Sequence, residues 1–209
     1  MDLTTLVIET ATAACSVALL DGSKVVAEAH EVVGRGHAER LIPMIAALPG
    51  QGRADRILVD CGPGSFTGIR VGLAAAVGLG IGWKVPVAGY SSLANIAAAT
   101  FAAERVPGTL AVLLEGGHGE VFMQQFDAPP LSPAGPLESL TPDAARTKLG
   151  GMHAVGDGLR WLRFDDPRAA PRGAMPHAAD ALLLPAVLRE LPPVPIYGRA
   201  PDAKLPGTR

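Results

Sequence analysis

Apolar and polar positions follow one another in the first half of the chain in a pattern that predicts strands and helices in succession. Five short runs are rich in β-branched and other apolar residues, and three longer segments place apolar side chains at helical spacing. The predicted strands cover residues 3–10, 15–20, 25–30, 57–61 and 85–90, and the predicted helices cover residues 37–48, 65–83 and 92–104. Tight connections indicate that the first three strands form an antiparallel meander. The order predicts an α/β unit on a mixed sheet, unlike a simple βαβ Rossmann chain.

The second half of the chain differs in composition. Only five of the 19 prolines precede Asp127, and the rest are concentrated after it. The predicted elements here are a hairpin, at residues 109–114 and 120–126, and a helix at residues 178–191, followed by an irregular tail. We therefore expect a regular N-terminal α/β domain, residues 1–105, and a smaller proline-rich C-terminal domain, residues 106–209.

Composition and charge exclude several classes of protein. Hydrophobic residues make up 48% of the chain and charged residues 18%, which excludes a disordered chain or a charged coiled coil. The net charge of −2 lacks the basic excess of a protein that binds nucleic acid mainly by itself. Two cysteines, Cys15 and Cys61, are too few for a disulfide framework or a four-cysteine zinc site. Asp2 argues against a secretory signal, and the apolar stretch at 71–83 is shorter than a membrane span of about 18 residues. We expect a soluble, cytoplasmic protein.

The glycine-rich segment at residues 62–68, GPGSFTG, is the most informative local motif. Such a strand-to-helix turn can leave backbone N–H groups at the positive end of a helix, where they bind an anion. The segment is not a P-loop, since Ile69 follows Gly68, and it lacks the G-x-G-x-x-G spacing. Residue types alone favour a simpler interpretation, in which Ser65 caps the helix. The candidate phosphate or nucleotide contacts are Gly62, Gly64, Ser65, Thr67 and Gly68, with Thr10 and Thr12 of the first turn opposite.

The two threonines of residues 9–12 have an ordinary interpretation as well. Threonine hydroxyls commonly cap a turn, and this role is favoured over phosphate contact when residue types are considered alone.

Small residues recur every fourth position in the predicted helix that follows the glycine turn. Gly68, Gly72, Ala76 and Gly80 form a stripe that lets another backbone approach closely. The stripe is compatible with packing against the chain's own sheet and with a helix–helix contact between subunits, and the sequence favours neither.

The sequence supplies no catalytic or metal-binding constellation. The five histidines are scattered, with no pair three or four residues apart. No nucleophile, base and orienting residue can be assigned together. We therefore name no catalytic residue and no metal ligand.

Several segments together resemble the TsaB (YeaZ) family in order and spacing. These segments are LVIETATAACSVA at residues 6–18, HAERLIPM at 37–44, GPGSFTGIRVGL at 62–73, VPVAGYSSL at 85–93 and PIYGR at 195–199. The resemblance is dense over residues 3–105 and thin afterwards.

The resemblance implies an actin-like ATPase fold, related to ribonuclease H, with a mixed sheet covered by helices on both faces. It also implies a part in N6-threonylcarbamoylation of adenosine 37 in ANN-decoding tRNAs. In this family the chain is a non-catalytic subunit that pairs with the catalytic TsaD, and the small ATPase TsaE joins the complex. The resemblance further implies a homodimer when alone, tRNA contact only through the complex, no membrane, no required cofactor, and at most a weak ATP or ADP contact in the complex.

The resemblance also suggests where a partner binds. Two helices from each subunit are expected to form a four-helix contact. The interface candidates are His37, Leu41, Met44, Ile45, Leu48, Gly72, Ala76 and Gly80. Catalytic relatives carry two metal-binding histidines four residues apart, and the matching positions here are Ser92 and Ile96, which do not bind metal in this way.

This chain departs from the family pattern at three places. Glu9 stands where aspartate is usual, residues 115–122 differ from the typical segment, and the region between Leu48 and Ile57 is short. The main alternative is a metal-independent small-molecule kinase or ATPase of the actin-like superfamily, in which Glu9 would be the only candidate general base. A peptidase is a weaker alternative.

Overall fold

Two mixed β-sheets organise the part of the chain that the computed structural model describes, residues 3–163 and 174–199. The first sheet contains β1 (Thr4–Glu9), β2 (Ala14–Asp21), β3 (Lys24–Val32), β4 (Arg56–Asp60) and β5 (Val87–Tyr90). Their spatial order is β3-β2-β1-β4-β5. β1, β2 and β3 are antiparallel neighbours, whereas β4 runs parallel to both β1 and β5. The predicted meander and mixed sheet are therefore confirmed.

Helices cover both faces of this sheet. They are α1 (His37–Ala47), α2 (Phe66–Trp83) and α3 (Ser92–Ala103). Alternate residues of a strand point to opposite faces. Leu6 and Ile8 of β1 accordingly pack in the core shared with α1 and α2, while Val7 packs in the core shared with α3. Helix α1 begins at His37, as predicted, and it contains Pro43.

Helix α2 is longer than the apolar stretch noted in the sequence. It begins at Phe66 and extends over 18 residues, and by length and composition alone it could cross a membrane. It is the one helix of this kind within residues 3–163 and 174–199, which is weak evidence, since the core helix of a soluble protein meets the same criterion.

The second sheet is built from the C-terminal half. It contains β6 (Leu110–Gly117), β7 (Glu120–Asp127), β8 (Ser132–Pro133), β9 (Glu138–Leu140) and β10 (His153–Val155). The spatial order is β10-β6-β7-β8, and β9 also pairs with β7. The predicted hairpin is confirmed as β6 and β7, whereas the three short strands and α4 (Pro142–Leu149) were not predicted.

Helix α3 joins the two sheets through a common core. Leu93 and Ala97 of α3 belong to the same buried cluster as Val7 of the first sheet and Val112 of the second. On its other face, the second sheet packs against α4. The division at residue 105 falls between the two sheets, and it stays a prediction because the core is continuous across it.

The predicted helix at residues 178–191 is wrong. Two short 3₁₀ turns, Ala178–Leu183 and Ala186–Arg189, stand there instead. Pro185 explains the interruption, because proline lacks an N–H group and forces the preceding residue out of the helical conformation. Leu184 is accordingly extended, with φ −69° and ψ 137°.

The segment that follows, residues 191–199, runs along the ends of both sheets, and we call it the C-terminal strap. Leu191 forms a β-bridge with Gly89 of β5. Further along, the Ile196 N–H donates to the Cys61 carbonyl at 2.7 Å. A Cβ on Gly198 would lie 2.3 Å from the ring of Phe122 in β7, so glycine lets the strap cross the second sheet closely. The strap thus connects the two sheets without regular structure, as expected for the tail.

Candidate functional site

A cavity of about 780 Å³ opens between the two sheets. One wall comes from the turn after β1 and the start of α2, another from the β6–β7 turn, and the rest from the strap. Its side chains include Phe66, Arg70, His118, Phe122, Asp157 and Tyr197. This volume lies within the range of sites for small molecules. We refer to the cavity as the cleft.

Close contact between two turns explains Gly64 and Gly68 of the glycine-rich segment. A Cβ on Gly64 would lie 2.0 Å from the Ala11 carbonyl oxygen, and one on Gly68 would lie 2.1 Å from the Thr10 carbonyl oxygen. The Ser65 N–H donates to the Ala11 carbonyl at 2.6 Å. These glycines therefore let the start of α2 rest directly on the end of β1, a function that needs no bound anion.

The hydroxyl groups predicted to contact phosphate are bonded inside the chain. Thr10 Oγ1 donates to the Gly68 carbonyl at 2.8 Å, and Thr12 Oγ1 accepts from the Ala14 N–H at 3.2 Å. Both threonines are buried. Ser65 Oγ accepts from the Gly68 N–H at 3.2 Å and caps α2. The simpler interpretation, a serine-capped strand-to-helix turn, is thus confirmed.

The remaining candidate phosphate contacts are either bonded inside the chain or located in or beside the cleft. The Gly62 N–H donates to Asp60 Oδ1 at 2.6 Å, so it is not free to bind a ligand. Gly64 and Ser65 line the cleft, and Thr67 is exposed beside it. Of the predicted set of seven, Thr12 also lines the cleft, whereas Thr10, Gly62 and Gly68 do not. Phosphate contact by the residues in or beside the cleft stays a prediction.

Two carboxyl groups, those of Glu9 and Asp60, are completely buried at the adjacent ends of β1 and β4. Burial raises the pKa of Glu9 well above its usual value, and the neighbouring Asp60 carboxylate raises it further. Burial also raises the pKa of Asp60, although a hydrogen bond from Glu9 opposes this. The titrations of the two groups are therefore linked, and folding favours the protonated form of Glu9.

This acid pair connects the two turns that meet beside the cleft. Glu9 Oε1 accepts from the Ala11 N–H at 2.8 Å, and Tyr90 OH donates to Glu9 Oε2 at 3.3 Å. On the other side, Asp60 Oδ1 accepts from the Ser92 hydroxyl at 2.9 Å, besides its bond to the glycine turn. Glu9 is completely buried and does not line the cleft, so it cannot reach a substrate there as the general base of a kinase or ATPase would have to.

The two positions that correspond to metal-binding histidines belong to the core. Ser92 and Ile96 lie on α3 and are buried, and Ser92 is bonded to Asp60. In the ranges 3–163 and 174–199, no three histidine, cysteine, aspartate or glutamate side chains come close enough to hold a metal ion.

The small-residue stripe of α2 faces the chain's own sheet. A Cβ on Gly72 would lie 2.4 Å from Thr10 Oγ1, and one on Gly80 would lie 2.5 Å from Val87 Cγ2. Ala76, between them, is completely buried. Of the two alternatives for the stripe, packing within the chain is therefore the one that the structure shows.

The interface residues predicted on the other helix are inside the chain as well. His37, Leu41, Met44, Ile45 and Leu48 are all buried. His37 Nε2 also lies 3.1 Å from the Ala14 carbonyl oxygen. The eight predicted interface residues are thus corrected to core residues, and any partner of α1 or α2 must contact the opposite faces of these helices.

Sequence patterns did not identify Asp60, Arg70 or Tyr197, whose contacts join positions that are distant in the sequence. Asp60 could have been noticed as an acid that ends an apolar strand just before the glycine turn. Arg70, by contrast, donates from Nη2 to Tyr197 OH at 3.0 Å across 127 positions of sequence. No local pattern signals that contact.

Comparison with known proteins gives a family for this chain. A family model described as "TsaD: tRNA N6-adenosine threonylcarbamoyltransferase" matches residues 25–128. The TsaB protein of Haemophilus influenzae is 37% identical over 130 residues, which cover 59% of this chain and 54% of that protein. The chain thus spans about half the length of this curated relative, and the Escherichia coli TsaB protein, 35% identical over 127 residues, is matched to the same extent.

A further relative matches over nearly its whole length. An uncharacterised protein of Mycobacterium tuberculosis (strain H37Rv) is 31% identical over 213 residues, which cover 96% of this chain and 94% of that protein.

Solved structures from Pseudomonas aeruginosa have the same fold. One, described as similar to the peptidase YeaZ, superposes with a TM-score of 0.78 at 29% identity and covers 95% of this chain and 100% of its own. The other, described as YeaZ, has a TM-score of 0.73 at 28% identity and covers 88% and 90%. The expected α/β class, a mixed sheet with helices on both faces, is confirmed. From these similarities together we conclude that the chain belongs to the TsaB (YeaZ) family.

Proposed function

We propose that this chain is a non-catalytic subunit for N6-threonylcarbamoylation of adenosine 37 in ANN-decoding tRNAs. It pairs with a TsaD-like catalytic subunit, a TsaE-like ATPase joins the pair, and tRNA is reached only through the complex. When alone it forms a homodimer. The protein acts in the cytoplasm and requires no cofactor of its own. Two curated relatives named as tRNA threonylcarbamoyladenosine biosynthesis protein TsaB support the pathway.

The observation that carries the pairing is an exposed apolar face on α2. Residues 74, 77, 78 and 81 follow helical spacing and are all exposed, and Val77 and Ile81 are large aliphatic residues on this face. Between Phe66 and Trp83 the helix carries a single charged residue, Arg70. A helix that is apolar all round is normally buried on every side. The outward face of α2 is therefore suited to a second helix surface.

The nature of the partner follows from the similarity to TsaD. The TsaD family model spans the region of this chain that contains α1, α2 and α3. A TsaD-like chain consequently carries the same helices and can present an equivalent face, as in a two-fold isologous contact. A homodimer would use the same surface, so TsaD would replace the second copy.

Ile81→Asp tests this surface. Ile81 is 74% exposed, so the variant is expected to keep its melting temperature. At the interface, an unpaired carboxylate among apolar side chains should weaken binding to TsaD from the same organism at least tenfold, or about 1.4 kcal/mol. Isothermal titration calorimetry with purified subunits measures this change. Threonylcarbamoyl transfer by TsaD and TsaE, assayed with tRNA, should fall in parallel when the variant replaces the wild-type chain.

Val187→Asp is the matched control. Val187 is 73% exposed, and it lies in the second 3₁₀ turn rather than on α2. This variant should bind TsaD normally. Equal affinity of both variants and wild type would contradict the proposed α2 interface, and transfer by the isolated chain without TsaD would contradict the non-catalytic role.

A further inference from the structure

Arg70 has a fixed side chain in the cleft. Its guanidinium lies 3.4 Å from the centroid of the Phe66 ring, while Nη2 donates to Tyr197 OH at 3.0 Å. The two rings are themselves stacked, with centroids 6.1 Å apart. Stacking and the hydrogen bond hold the side chain in place, although Phe66 and Tyr197 are about half exposed. A single bond to Tyr197 leaves the guanidinium with four further N–H donors.

The charge of Arg70 is not balanced by a nearby acid. Among the residues that the structure describes, no carboxylate lies within ion-pair distance of it. Other cationic groups around the cleft are paired: Arg199 lies 3.7 Å from Glu120, and Arg160 is paired with Glu115. Asp157, which also lines the cleft, accepts from the Glu115 N–H at 3.1 Å.

The remaining walls of the cleft are largely apolar. The rings of Phe66, Tyr197 and Phe122 and the side chains of Ile69 and Ile196 line it. We propose that the cleft binds a small planar organic monocarboxylate, whose carboxylate is held by Arg70 and whose ring lies against these aromatic side chains. This proposal does not depend on the proposed partner, because Arg70 and Tyr197 act within a single chain.

The surrounding acids favour a monoanion over a phosphate. A guanidinium binds a carboxylate through two parallel N–H···O bonds, which one arginine can supply. A phosphate dianion would bring a second charge close to Glu115 and Asp157, and the one further arginine that lines the cleft, Arg199, lies near Glu120. In the backbone turn beside α2, the Ser65 and Gly68 N–H groups are already bonded inside the chain.

Three probes of one ring system test the proposal. They are 2-naphthoate, its neutral amide 2-naphthamide, and the dianion 2-naphthyl phosphate. Binding is followed by NMR chemical-shift changes, including those of the Arg70 Nε–H and the Tyr197 backbone signals. We expect 2-naphthoate to shift these signals and to bind at least tenfold more tightly than either of the other probes. Equal affinity for the amide, or tighter binding of the phosphate, would overturn the proposal, as would no binding of any probe.

Variants at Arg70 separate charge from geometry. Arg70→Ala should lower the affinity for 2-naphthoate at least tenfold and leave that for 2-naphthamide unchanged. Arg70→Lys keeps the charge without the two-pronged geometry, so it should restore only part of the affinity. Arg105→Ala removes an equal charge from an exposed residue outside the cleft and should have no effect. Arg70 is exposed, and unchanged melting temperatures will show that the variants are folded. Unaltered binding by folded Arg70→Ala would refute the assignment.

Discussion

Replacing Gly68 with alanine is expected to destabilise the chain by about 3 kcal/mol, enough to remove much of the stability of an ordinary domain. The added Cβ would lie 2.1 Å from the Thr10 carbonyl oxygen, a backbone atom that cannot rotate away. Helix α2 would have to move off the end of β1 and would lose the 2.8 Å bond from Thr10 Oγ1 to the Gly68 carbonyl. Urea unfolding, followed by circular dichroism, measures the change in the free energy of unfolding.

Gly78→Ala is the matched control in the same helix. Nothing lies within 4 Å of a Cβ at this position, and Gly78 is exposed. The substitution should therefore show only the gain in helix propensity, a stabilisation of about 1 kcal/mol. Because the chemical change is identical, the difference between the two variants reports the contact between α2 and β1. If Gly68→Ala were as stable as Gly78→Ala, the close approach of these two turns would be wrong.

The first sheet and its helices could be predicted from sequence because each element has a strong local pattern. β1 and β4 each contain a short apolar run, at residues 6–8 and 57–59, and α1 places Leu41, Met44, Ile45 and Leu48 on one face. These patterns report burial, and burial in turn fixes which face of each element points inward. They do not report what covers that face. The same four residues were therefore assigned to a partner, although they pack against the chain's own sheet.

The rest of the fold lacks such patterns. β8 has two residues and β9 three, too few to show a period. The segment around Pro185 has helical spacing of apolar residues, but proline prevents a continuous helix there.

The sequence predicts the local parts of the candidate site but not the parts that depend on long-range contacts. The GPGSFTG segment could be recognised as a turn at the start of a helix, and Ser65 as its cap. Gly64 and Gly68, however, are required by the carbonyl groups of residues 10 and 11, which lie more than 50 positions earlier in the chain. Long-range contacts of this kind also create the buried pair of Glu9 and Asp60 and the cleft contact of Arg70 with Tyr197.

Glu9→Gln is expected to change the pH dependence of stability. In the folded chain, burial raises the pKa of Glu9 well above its ordinary value of 4.5. The folded state therefore binds a proton that the unfolded state releases. The stabilisation that this proton gives the folded state is complete below pH 4.5 and is lost as the pH rises towards the raised pKa. Over that range the free energy of unfolding falls by about 1.4 kcal/mol per pH unit. Glutamine is a neutral isostere whose amide can donate to Asp60 at every pH. The variant should lose this slope and become more stable than wild type at alkaline pH.

Urea unfolding between pH 5 and pH 9 checks this expectation, with Glu31→Gln as the control. Glu31 lies on the surface, and its hydrogen bond with Arg40 lowers the pKa of its carboxyl, so its titration affects stability only as the pH falls below 4.5. Above pH 5 this control should run parallel to wild type with only a small offset, because exposed ion pairs contribute little to stability. Glu9→Gln should instead cross the wild-type curve as the pH rises. If its curve ran parallel to that of wild type, the raised pKa of Glu9 in the folded chain would be contradicted. The stability of the two turns at the end of β1 and β4 would then have to come from their backbone contacts alone.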